Sequence, residues 1–293
     1  ADCATAIKPV LVSERGHSGM VTLNAADYDL PALGQVVELY DVGQRLFSRL
    51  KDTHNVTLHC PAKVVDVSRD FHSTQVTLDN GEVLSASLLV AADGSFSSVA
   101  ASLGMTWNEE DYQQTALIAN VTTELPHEGR AFERFTPQGP VALLPMSKGR
   151  MSLVWCMDQA NQQEAMAWDE QTFVKQLQQI FGWRLGAIVS AGQRTSYPLR
   201  LRIARQPISH RLALVGNASQ TLHPIAGQGF NLGLRDVISL AETLSQAEQQ
   251  SEDLGSYEVL RRYSQRRSSD RQATINLTDG LIHLFANSYS SLL

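Results

Sequence analysis

One stretch, Arg211 to Asp236, limits what this chain can fold into more than any other. It begins with a short apolar run, Leu212 to Val215, closed by Gly216, which reads as a buried strand. A loop follows, and after the Gly227-Gln228-Gly229 turn apolar residues recur at helical spacing. Strand, glycine-rich loop and helix start, in that order, build a seat for an anion or an electron-rich ring. The first N–H groups of a helix have no intrahelical partner, and glycine lets a ligand touch the main chain. By spacing alone, such a turn more often only connects two elements.

Composition removes several classes. A chain of 293 residues can form one large domain or two intertwined ones with ample core. With 43% apolar and 18% charged residues it reads as an ordinary globular protein. A formal charge of −6 argues against nucleic-acid binding, which needs a basic face to neutralise phosphates. No apolar run is long enough to span a membrane. Cys3, Cys60 and Cys156 lie far apart without metal-ligand spacing, which suits a reducing cytosol and buried apolar packing. There is no Ser-His-Asp spacing, metal cluster or P-loop.

From His223 to Asp236 the residues are His-Pro-Ile-Ala-Gly-Gln-Gly-Phe-Asn-Leu-Gly-Leu-Arg-Asp. This string resembles the second flavin-binding motif of the FAD-dependent aromatic hydroxylases. It matches, at every fixed position, the form found in their ubiquinone-biosynthesis branch, which includes the 2-octaprenyl-6-methoxyphenol hydroxylases. A second element, Asp93-Gly94, ends the apolar run Leu88 to Ala92 and resembles the family's Asp-Gly motif, implicated in FAD and NAD(P)H binding. Alone, an Asp-Gly pair is an ordinary turn. Two departures stand out. The family often has Arg three residues after Ser97, where this chain has Ala100, and many relatives have Asp at Asn217.

The resemblance implies cofactor contacts at Asp93, Gly94, Gly216, Asn217, Pro224, Gly227, Gln228, Gly229, Phe230 and Asn231. It implies that FAD carries the chemistry while the protein positions it and excludes water. NAD(P)H would reduce the flavin, and O₂ would form a C4a-hydroperoxide that hydroxylates a prenylated phenol. No catalytic side chain emerges, and His223 reads as a residue that orders its loop. Gln44 and Arg45 are further candidates for the ribityl chain, against the alternative of a solvated helix face.

The dinucleotide fingerprint, a strand followed by Gly-x-Gly-x-x-Gly, is missing, since Gly227, Gly229 and Gly233 have a different spacing. A member of this family should open with such a unit around the ADP half of FAD. The chain therefore reads as a fragment without its first few dozen residues, and Leu292-Leu293 as an apolar helix cut short.

The remainder is read in order. Pro9 to Ser13 and Met20 to Leu23 are strands around a turn containing His17, and Gln35 to Leu39 is another. Asp41 to Leu50 is an amphipathic helix. Asn55 to His59, Lys63 to Val67 and Gln75 to Leu78 alternate like half-buried strands, and Asp79-Asn80-Gly81 turns into a strand from Glu82 to Ala92. Strands at Ala116 to Val121, Ala131 to Phe135, Val141 to Leu144 and Met151 to Trp155 resemble the sheet over the family's substrate pocket. Phe132, Phe135, Leu143, Pro145 and Trp155 are its candidate lining, although alternation lets only about half of them face a pocket. Gln162 to Phe181 is one long helix, Trp183 to Ser196 a strand, and Leu232 to Ala247 and Tyr257 to Phe285 are helices. Arg200, Arg202, Arg205 and Arg211 form a basic cluster that either attracts a nicotinamide phosphate or pairs with acids. Arg261, Arg262, Arg266 and Arg267 read as facing solvent or a partner.

The expected fold is α/β (α+β): an incomplete FAD domain like that of para-hydroxybenzoate hydroxylase, interleaved with an antiparallel substrate sheet and C-terminal helices. The expected segments are 1–34 (substrate), 35–110 (FAD), 111–200 (substrate sheet), 201–250 (FAD) and 251–293 (helical). The family further implies ubiquinone-biosynthesis partners and a cytoplasmic protein, with a place on the periphery of the inner membrane as the alternative. Two competing readings are a hydroxylase of another aromatic or lipid, and a flavin-free scaffold fragment.

Overall fold

The computed structural model describes residues 3–16 and 19–286. His17 and Leu292-Leu293 lie outside them. In chain order come β1 (Ala4–Ile7), β2 (Pro9–Glu14), β3 (Met20–Asn24), β4 (Gly34–Val37), α1 (Leu39–Lys51), β5 (Val64–Arg69), β6 (Thr74–Leu78), β7 (Val83–Ala86) and β8 (Leu89–Ala91). Then follow α2 (Ser98–Ser102), β9 (Trp107–Thr123), β10 (Ala131–Phe135), β11 (Val141–Pro145), β12 (Arg150–Asp158), α3 (Gln159–Ala167), α4 (Glu170–Phe181) and β13 (Ile188–Ala191). The last are β14 (Thr195–Ala204), β15 (Ile208–Ser209), β16 (Leu212–Leu214), β17 (Gln220–Thr221), α5 (Gln228–Gln249) and α6 (Tyr257–Ala286).

The described residues form two compact units, one within 3–58, 113–199 and 285–286, the other from 59–112 and 200–284. The crossing at His59 keeps α1 with the first unit, whereas α6 lies almost wholly in the second.

In the first unit β3, β2, β10, β11, β12 and β9 pair in that order, and β13 pairs with β9. Register and alternation put Phe132, Leu143, Leu153, Trp155 and Leu117 on one face, buried with Phe173, Leu177 and Phe181 of α4. Phe132 meets Phe181 edge-on at 5.3 Å between ring centres. The expected single helix is two, because the Asp169 carboxylate accepts from the Thr172 N–H and starts a new helix there. The free amides of β13 are taken by α4: Ile188 N–H donates to Gln178 Oε1 at 2.6 Å and Ala191 N–H to Glu170 Oε1 at 3.1 Å.

In the second unit β8 and β16 run parallel, with Leu89, Val90 and Ala91 opposite Leu212, Ala213 and Leu214. Strand β15 pairs antiparallel with β16, and β5, β6 and β7 form a separate antiparallel sheet. The expected strand from Glu82 to Ala92 is therefore two strands in two sheets, β7 and β8. Neither Asn55 to His59 nor most of Trp183 to Ser196 is extended ladder. Arg211 is fully buried at φ 54°, donating to the carbonyls of Phe71 and Ser87 and pairing with Asp253 at 2.5 Å. It is a structural cation, not part of a basic patch. Cys156 is buried but Cys60 is exposed, so the expectation of apolar packing for every cysteine is corrected. No helix of the described residues is long and apolar enough to cross a membrane.

Candidate cofactor site

Parallel pairing of β8 and β16 brings their carboxyl ends side by side, where open α/β sheets take their ligands. Val215 N–H donates to the Ala91 carbonyl at 3.1 Å. Asp93-Gly94 leaves one strand end and Gly216-Asn217 the other, so two motifs far apart in sequence become neighbours. Gly94 at φ 91° and Gly216 at φ 59° occupy backbone conformations that suit glycine.

The Gly216 turn is held from below. Asp236, fully buried in α5, accepts from the Gly216 N–H at 3.1 Å and the Gln220 amide at 2.5 Å. Arg267 of α6 donates to the other carboxylate oxygen at 2.8 Å. A Cβ on Gly233 would stand 3.2 Å from the Gly216 Cα, so helix and turn touch through two glycines. This corrects the outward reading of the α6 arginines for Arg267: a buried carboxylate needs a countercharge, and Arg267 turns in to supply it.

Beyond the turn, Pro224 begins a 3-10 turn whose carbonyl accepts from the Gly227 N–H, and α5 starts at Gln228 without a side-chain cap. Its first N–H groups mark the positive end of a long helix. Cβ atoms built on Gly94, Gly227 and Gly229 would meet nothing within 4 Å. Phe230 is exposed, and the Asn231 amide reaches the Gly227 carbonyl at 3.4 Å.

His223 is 1% exposed, and its Nδ1 accepts from the Ile225 N–H at 3.1 Å. That bond puts the ring proton on Nε2, which has no partner, as do the buried Ser219 Oγ and Gln220 Oε1. Burial pushes the imidazole down to about 4, so it is neutral at physiological pH. Tyr112 packs edge-on against it at 5.4 Å.

Other candidates go elsewhere. Phe132, Leu143 and Trp155 lie in the core under α4, and Pro145 is buried on the same sheet face. Phe135 points to the opposite face. Gln44 and Arg45 are exposed on α1. The basic cluster is engaged: Arg200 pairs with Asp111 at 3.4 Å, Arg202 with Glu109 at 2.6 Å, and Arg205 donates to Asn108 at 2.9 Å.

Sequence reasoning missed two features. Arg202 brings a guanidinium to the carbonyl of Ser95, in the loop just before the helix that carries Ala100. Glu133 has only apolar register partners, Val12 and Ala142, and burial pushes its carboxyl up to about 7. Its sequence signal was a charged pair, Glu133-Arg134, between the apolar ends of a strand.

A family described as "FAD binding domain" matches residues 35–278. Among similar proteins, the ubiquinone hydroxylase UbiL of Rhodospirillum rubrum is 39% identical over 255 residues, 87% of this chain and 59% of that protein. The 3-demethoxyubiquinol 3-hydroxylase of Escherichia coli is 35% identical over 85% of this chain and 64% of its own length. Human ubiquinone biosynthesis monooxygenase COQ6 is 33% identical over 80% of this chain and 57% of its own length. The chain thus spans about three-fifths of these relatives. Among solved structures, PqsL of Pseudomonas aeruginosa, a probable FAD-dependent monooxygenase, superposes with a TM-score of 0.85 at 21% identity, covering 98% of this chain and 80% of that one. The expected fold class is borne out.

Proposed function

The chain belongs to the FAD-binding-domain family, and from that premise we propose that it binds the flavin-ring half of FAD and serves a monooxygenase that hydroxylates a prenylated phenol in ubiquinone biosynthesis. The observation that carries this reading is the uncapped start of α5, facing open space at Gly227 and Gly229, beside three buried polar atoms without partners. A flattened, carbonyl-rich ring with polar edges fits such a seat. The names of the relatives at 33–39% identity support the substrate class.

The overall reaction balances as phenol + NAD(P)H + H⁺ + O₂ giving hydroxylated phenol + NAD(P)⁺ + H₂O. Bound FAD supplies the electron transfer and oxygen activation. The amides of Gln228 to Asn231 would neutralise negative charge on the ring through the helix dipole. Gly227 and Gly229 would let it approach the main chain, and Pro224 would lie along its edge. Gly216 and Asn217 would meet the ribityl chain; Asn217 both donates and accepts without adding the charge of Asp. The Asp93 carboxylate would take sugar hydroxyls or water, with Gly94 permitting close approach. His223 stays neutral and orders the Pro224-Ile225 turn.

A prenylated substrate is delivered from a lipid surface, so peripheral association with the inner membrane and contact with other ubiquinone-biosynthesis proteins belong to this proposal. The test is the yellow flavin spectrum and NAD(P)H oxidation of the protein carrying its complete family domain, with quinone precursors as substrates. Absence of flavin after reconstitution refutes the reading. Turnover of a non-prenylated aromatic in preference to every quinone precursor replaces the substrate class.

A further inference from the structure

One guanidinium of the second unit touches one ligand loop directly and the other through a stacked indole. Arg202 lies on β14, where its backbone pairs in register with Thr221, in the strand that follows the Gly216 turn. Its Nη1 donates to the Ser95 carbonyl, just past Asp93-Gly94, and its Nε to Glu109 Oε1 at 2.6 Å. Its Cζ stands 3.9 Å from the ring centre of Trp107 and 5.4 Å from that of Phe96. The Trp107 indole N–H donates in turn to the Ala218 carbonyl at 3.0 Å. Although charged, the side chain is only 11% exposed.

We infer that Arg202 is a positioning residue that sets the spacing between the Asp93–Ser97 loop and the Gly216–Ala218 turn. It holds the first through the Ser95 carbonyl and the second through the indole on which it stacks. A planar guanidinium can donate in its plane and stack on its face at once, which an ammonium cannot. Glu109 neutralises the charge and fixes the rotation of the plane, so Arg202 is a strut and not a free anion-binding cation. Carbonyls beyond the ends of β8 and β16 have no ladder partner, and without such a tie each loop would settle independently. A site loosened by about 1 Å loses much of its affinity. What the loops bind rests on the cofactor reading above; the coupling between them does not.

Amide hydrogen exchange on this 293-residue chain, without added ligand, reads the coupling directly. In Arg202→Met, amides of residues 97–100 and 216–219 should both exchange at least tenfold faster. Trp107→Phe should loosen 216–219 alone. Arg202→Lys keeps the charge and loses the stack, so it should loosen 216–219 more than 97–100. Unchanged exchange in Arg202→Met, or loosening of only one loop, overturns the inference; should that variant not fold, the other two decide it by the same pattern. FAD titration by flavin fluorescence adds a second readout. Arg202→Met should bind at least tenfold more weakly, whereas Leu78→Ala, a core change in the same unit, should lose stability and keep affinity. Equal losses of affinity in both would make Arg202 merely structural. If the exchange pattern holds but the protein carrying its complete family domain takes no FAD, the strut stands and the cofactor reading fails.

Discussion

Arg267 Nε lies 2.8 Å from Asp236 Oδ1, with the two side chains 5% and 0% exposed. The pair joins α6 to the turn that carries Gly216, because the second oxygen of the same carboxylate accepts the Gly216 N–H. Removing one partner strands the other charge in the interior, which is far costlier than losing an ion pair in water. Arg271, 3.7 Å from the same oxygen, offsets part of that cost. Arg267→Met should therefore lose about 3 kcal/mol of unfolding free energy. Arg266→Met, which breaks the exposed pair with Glu242, should lose less than about 1 kcal/mol. Urea denaturation compares them, and equal effects would remove the special standing of the buried pair.

His223 titrates at about 4 in the folded chain against 6.5 when exposed. Below 6.5 the unfolded chain takes up a proton that the folded chain refuses. The stabilising contribution is thus whole above 6.5 and is lost as pH falls toward 4, by up to about 3 kcal/mol. His223→Gln should flatten this part of the stability profile. A variant whose acid slope between those pH values equals that of the parent would contradict the buried neutral ring.

Glu133 carries the opposite sign. Its folded value of about 7 exceeds the ordinary 4.5, so its contribution is whole below 4.5 and is lost as pH rises through 7. Solvent screening trims the effect, because the residue is only half-buried. Glu133→Gln should stabilise the protein at pH 8 by about 2 kcal/mol and change little at pH 4.5. Thermal melts at the two pH values decide it; a destabilised variant at pH 8 would mean that the carboxylate has a partner.

Two glycines of the motif should separate folding from binding. Gly229 opens on free space, so Gly229→Leu should leave stability within about 1 kcal/mol while weakening FAD binding at least tenfold. Gly233 abuts the Gly216 Cα, so Gly233→Leu should cost roughly 1–3 kcal/mol through overpacking. Calorimetry and flavin titration on both variants would expose a wrongly placed ligand if Gly229→Leu binds FAD unchanged.

Much of this architecture was legible because local signals agreed with the fold. The apolar run of β11, the alternation in β12 and the helical spacing in α5 are driven by burial, which a linear pattern records. The break at Trp168-Asp169 was hidden because apolar residues continue across it, and only the capping role of Asp169 reveals the new helix. Likewise, Leu143 and Trp155 could be placed on an apolar face, but not assigned to core or pocket, until α4 was seen to cover them. The site divides along the same line. Glycines and Asp93-Gly94 announce themselves by spacing, whereas Arg202 and Arg267 act across 107 and 31 positions of chain, where spacing carries no information.

The side chains of Gln178 and Glu170 that occupy the amides of β13 have a bearing on self-association. A bare outer strand invites another chain to continue the ladder, the first step toward fibrous aggregates. Here β13 is met by a helix of the same unit, and two of its amides are already bound. Each carboxamide or carboxylate lost from α4 frees one of these amides, so at high concentration Gln178→Leu should convert a well-behaved solution into a sticky one before it measurably disturbs the core.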